Sequence, residues 1–144
     1  MKKIALIISV IFMCFVAKAE YNKDIMIEPV LKTDTTSIGQ KIIFPNSTNN
    51  EVTIYKITIP KGASTGWHKH ETPVFAYVLK GNLTVELEND KTMRFPENSS
   101  FAEVINTFHN GVNQGSEDVI LIVFFLGNKG EKLSLPKNNL TITK

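Results

Sequence analysis

From residue 52 to residue 126 the chain is cut into short β-branched and apolar runs, and no helical period lasts long enough to make an element. Residues 52–59 stop at Pro60. Residues 74–79, 83–87, 92–95, 100–105, 108–112 and 119–126 follow, each closed by glycine, proline or asparagine. Gly81-Asn82 and Glu88-Asn89-Asp90-Lys91 are short enough to be hairpin links, and Pro96-Glu97-Asn98 makes another corner. Residues 119–126, apolar on both faces, read as the middle strand of a sheet. Two shorter stretches, 25–31 and 41–44, also read as strands, whereas Leu133, Leu135, Leu140 and Ile142 leave the tail either docked on an edge or frayed. Such a pattern predicts an all-β sandwich or barrel with little or no helix.

Within that frame the histidines stand out, because there are only three. His68 and His70 lie two apart, so on an extended backbone their rings share a face. The same parity carries on to Val74, Ala76 and Val78, with Phe75, Tyr77 and Leu79 opposite, which predicts a strand buried on both sides. Gly62, Gly66 and Gly81 punctuate the stretch with residues that tolerate positive φ. His109 lies far downstream, in Ile-Asn-Thr-Phe-His-Asn-Gly-Val-Asn.

Ahead of the strands, residues 1–19 read as a cleavable export signal. Lys2-Lys3 precede an apolar run, and Ala17-Lys18-Ala19 supplies small residues at a cleavage site after Ala19. As a helix the run would reach only about 20 Å, short of a hydrocarbon core of about 30 Å. Cleavage removes the only cysteine, Cys14, so the mature chain has no disulfide to form. It also removes Lys2, Lys3 and Lys18 from the 16 basic residues, leaving a near balance against 14 acidic ones. No basic patch then argues for nucleic acid or an anionic membrane surface. What remains, residues 20–144, is the size of one domain in the periplasm or outside the cell.

Gly62, five residues, His68-x-His70 and then Gly81 together resemble the first motif of the cupin superfamily, and His109 with Asn113 resembles the second. Residues 82–95 stand where that family has its intermotif hairpin. The resemblance implies a jelly-roll barrel in which His68, His70 and His109 converge on one divalent transition metal (Zn, Fe, Mn, Ni or Cu). It implies an enzyme acting on a small oxygen-bearing molecule, dioxygenase-like first, with isomerase or decarboxylase behind. A non-catalytic periplasmic metal or small-ligand carrier is the alternative. A homodimer is also implied, together with a pocket formed or supported by Val74, Ala76, Val78 and Asn113.

The departures are specific. Val74 occupies the place of the family's usual glutamate, Asn98 and Asn106 stand for glycines, and Val104 stands for proline. Asparagine tolerates left-handed backbone, so those exchanges are mild. Losing the glutamate removes an anionic ligand. Glu103, six before His109, is the carboxylate that could replace it, as a metal ligand or catalytic base, if the intervening Asn106-Thr107 makes no turn.

Overall fold

The computed structural model describes residues 25–137; the leader, Leu140 and Ile142 lie outside them. Among the described residues, nine strands form two antiparallel sheets: β1 (Asn50–Ile59), β2 (His68–Lys69), β3 (Val74–Lys80), β4 (Leu83–Leu87), β5 (Thr92–Phe95), β6 (Ser100–Ala102), β7 (His109–Val112), β8 (Val119–Asn128) and β9 (Leu135–Pro136). One sheet has the order β1-β8-β3-β6 and the other β5-β4-β7-β2-β9.

β8 lies between β1 and β3, as a run apolar on both faces requires. Its inward residues, Val119, Leu121, Val123 and Phe125, are buried against Leu83, Val85 and Phe101. Removing such side chains from water is the main favourable contribution to folding, at about 1.5–3 kcal/mol each. Phe95 of β5 stacks on Phe101 of β6 at 3.7 Å and joins the two sheets at that side.

The expectation of a strand covered on both faces is corrected. In β3, Val74, Ala76 and Val78 are buried, but Phe75 and Tyr77 are only half-buried and Leu79 is exposed. Two layers leave the outer face of each sheet without a third. On this one, among the described residues, Val30 and Leu31 lie beside Phe75, Tyr77 and Phe124. Residues 25–31 form no strand, and the stretch expected at 41–44 is reduced to a bridge between Thr35 and Lys41. Gln40 instead acts as a side-chain strand partner: its Nε2 donates to the Ile105 carbonyl at 2.7 Å and its Oε1 accepts the Ile105 N–H at 2.8 Å.

The turns follow their sequences. Gly81 has φ +82°, and a Cβ there would meet the Asp118 carbonyl oxygen at 2.9 Å, so glycine is required twice over. Asn98 and Asn106 have φ of 63° and 52°, the left-handed backbone that asparagine enters more readily than other side-chain-bearing residues.

Candidate metal centre

His68 and His109 are directly paired across β2 and β7. Opposite residues of an antiparallel pair share a face, so residues distant in sequence present two rings side by side. His70, two further along the extended chain, sits on that face and bridges to Ile105. The ring centroids are 4.4 Å apart for His68 and His109, 4.9 Å for His68 and His70, and 5.1 Å for His70 and His109.

The run 62–81 is not one strand. Glu71–Pro73 carries the chain from the five-stranded sheet to the four-stranded one, and Pro73 cannot donate to a ladder. The parity linking His70 to Val74 is therefore broken. Val74, Ala76 and Val78 belong to the core, and none of them lines the cavity in front of the histidines. Asn113 is a clamp: fully buried, it donates from Nδ2 to the carbonyls of Ile59 at 2.8 Å and Glu117 at 2.7 Å. Its Oδ1 accepts the Gly115 N–H.

Glu103 completes the group by a route other than the counted one. Asn106 turns the chain, and β6 and β7 lie in different sheets, so the parity between Glu103 and His109 is void. Across the sheet, however, Phe75 pairs with Ala102, and one rung further the Glu103 N–H donates to the Val74 carbonyl at 2.8 Å. Glu103 thus sits opposite Val74 and on its face. A carboxylate absent from residue 74 is present beside it, on the neighbouring strand.

One potential ligand atom from each of His68, His70, Glu103 and His109 falls within 4.8 Å of the others. The rings are oriented by backbone carbonyls, which can only accept. Nδ1 of His68 donates to Gly66 at 2.8 Å, that of His70 to Leu133 at 2.7 Å, and that of His109 to Thr107 at 3.0 Å. With Nδ1 carrying the proton, each neutral ring has its lone pair on Nε2, the arrangement in which a histidine ligates metal. Leu133 is in the tail, where its carbonyl was not foreseen: backbone groups leave no mark in a side-chain pattern.

Glu103 Oε2 lies 3.1 Å from His109 Nε2 and 3.2 Å from His70 Nε2. Burial alone would raise the Glu103 pKa, but hydrogen bonds from His109 and His70, and their charge, outweigh it and hold the carboxyl far below the usual carboxylate range. Burial likewise opposes charge on His70, yet the bond and charge of Glu103 and the Leu133 carbonyl carry its pKa above the ordinary value. For His68 burial prevails and lowers it. A ring whose Nδ1–H goes to a carbonyl reaches a carboxylate through Nε2 only if that nitrogen also carries a proton. A divalent ion would compete with that proton for the Nε2 lone pairs. Three imidazoles, each held from behind by a carbonyl, and one carboxylate fit a first-row divalent ion.

In front of the rings a cavity of about 400 Å³ runs between the sheets, with Ile57, Leu83, Val85, Phe101, Leu121 and Val123 among its walls. Tyr55 and Trp67 line it while remaining partly exposed, which puts its mouth beside them.

Comparison with known proteins agrees with the fold. A search of curated proteins finds no match. Among solved structures, a Bacillus halodurans protein superposes with TM-score 0.51 at 15% identity, over 61% of this chain and 70% of that one. The DMSP lyase DddQ of Ruegeria pomeroyi gives 0.52 at 15% identity, over 60% of this chain and 43% of its own. The oxalate decarboxylase of Lactobacillus farciminis gives 0.50 at 19% identity, over 59% of this chain and 26% of its own. The chain thus spans less than half of either enzyme. Residues 55–125 match the profile of the Cupin domain, a segment that holds all three histidines and Glu103. With that match, the two-sheet jelly roll and the convergent histidines agreeing, the chain belongs to the cupin superfamily.

Proposed function

We propose that the protein binds one divalent transition metal through His68, His70, His109 and Glu103 and uses it on a small oxygen-bearing molecule, with oxidation of the dioxygenase type the leading reaction. The observation that carries this reading is the three Nδ1–H groups fixed on carbonyls, which turns three Nε2 atoms toward one carboxylate. When bound, such an ion polarises or activates an oxygen ligand. The chain contributes the rest. Its carbonyls hold the rings, Glu103 offsets the ion's charge, and the apolar walls exclude water. The reading includes export, supported by the composition of residues 1–19, and pairing of two copies, supported by the exposed apolar face of the four-stranded sheet.

Metal analysis of the protein purified without added metal tests the centre. About one ion per wild-type chain is expected, and a loss of at least tenfold in affinity for His68→Ala. A folded wild-type protein that takes up no Mn, Fe, Ni, Cu or Zn would end the reading.

One observation favours a carrier instead. Apart from the four proposed ligands, no histidine, carboxylate, lysine or arginine lines the cavity among the described residues, which leaves the Tyr55 hydroxyl at the mouth as the one other candidate for general acid–base work. Oxygen-consumption assays with phenols, thiols and sugars decide between the two: metal without turnover in any of them selects the carrier.

A further inference from the structure

The cavity has two chemically different ends. At one, His68, His70, His109 and Glu103 gather. Two residues beyond His109 along β7, Gly111 faces the same way, and the place of its absent side chain is taken by Thr65 and Leu83, whose nearest atoms lie 3.2 and 3.5 Å from where a Cβ would stand. The other end is closed by Ile59, Leu83, Leu121 and Val123, each at most 4% exposed. No lysine or arginine reaches the lining among the described residues. The hydroxyl-bearing residues of the lining are Tyr55 and Ser134 and, beside the Gly111 backbone, Thr65, whose hydroxyl is already engaged: it donates to the Gly66 carbonyl and accepts the Gly111 N–H.

On the reading that the histidine end holds a metal, we infer that the cavity selects small molecules with a single oxygen-donor head and an uncharged apolar body, and rejects those with a second anionic group. The head meets the polar end. A charge at the far end would be taken out of water with no partner, a cost that grows steeply in an apolar enclosure. The one fixed charge in the lining, Glu103, is of the wrong sign to offset a second anion. About 400 Å³ is at the small end of the range for ligand sites and suits a body of roughly six to ten carbon atoms.

Two matched pairs test this on the full chain. Hexanoate and adipate share length and head and differ only in the far group. They are titrated into metal-loaded protein by calorimetry and by the fluorescence of Trp67, the only tryptophan, which lines the cavity. Hexanoate should bind at least about 100-fold more tightly. In metal-free protein, 1-hexanol should bind at least about tenfold more tightly than 1,6-hexanediol, whose second hydroxyl finds no partner. Adipate equal to hexanoate, or no binding of either monofunctional probe, overturns the inference. Failure to take up metal while 1-hexanol still outbinds the diol sinks the metal reading and upholds this one.

Discussion

Glu103 and Val74 show how a carboxylate can change strands without leaving its site. They face one another one rung beyond Phe75 and Ala102, so their side chains are neighbours on one face of the sheet. The move should therefore be reversible. Glu103→Ala should lower metal affinity about 10–100-fold, by removing an anionic ligand from beside two rings. Adding Val74→Glu should recover most of that loss, whereas Val74→Glu alone should destabilise the fold by crowding two carboxylates into a buried site. Metal titration and thermal melts of the three variants check the pattern, with no recovery in the double variant as the adverse result. The sequence made Glu103 a candidate through a parity that the turn at Asn106 destroys. The rung opposite Val74, which carries the explanation, requires knowing that β3 and β6 are neighbours. The three histidines needed no such knowledge, because their spacing and rarity were already visible.

The least legible elements were the shortest. β2 and β9 have two residues each, too few to display any period, yet they build the wall that bears His68 and the carbonyl that holds His70. β9 pairs with β2 through His68–Pro136 and Lys69–Leu135, and the Lys137 N–H donates to the Trp67 carbonyl at 2.9 Å. The tail is thus an edge strand laid across the site. Truncation after Glu131 removes the Leu133 carbonyl and the Leu133 side chain that packs on the core. The loss should be about 1–3 kcal/mol of stability from the apolar contact and about tenfold or more in metal affinity from the freed ring. Far-UV circular dichroism should stay β-like, because no other strand pairs with β9. Longer elements were legible where their apolar residues alternate, as in β4 and β5, or run unbroken, as in β8. The switch between sheets at Glu71–Pro73 was marked only by its proline.

At the scale of the molecule, a metal bound as proposed should couple folding to pH in the sense opposite to the protons it displaces. Without metal, His70 has its pKa raised, so its bond to Glu103 stabilises fully below the unfolded value of about 6.5 and is lost as pH rises through the folded value. Glu103 is depressed, so its share is present above about 4.3 and lost as pH falls through its folded value. Their common window is about pH 4.3–6.5. His68, lowered by burial, works the other way and loses stability as pH falls below about 6.5. Subtracting Glu103→Gln from wild type removes much of that contribution. The difference, about 1.5–3 kcal/mol for a charged buried bond, should be greatest inside the window and shrink at alkaline pH. Metal reverses the slope, because it needs the Nε2 lone pairs that protons occupy in acid. At fixed free metal, its stabilisation of wild type should grow as pH rises through the folded His70 value, reaching about 2.7 kcal/mol where metal is 100-fold above its dissociation constant. Denaturant melts from pH 5 to pH 8, with and without metal, measure both slopes. A metal increment independent of pH would mean that the ion does not displace the His70 proton and binds somewhere other than this cluster.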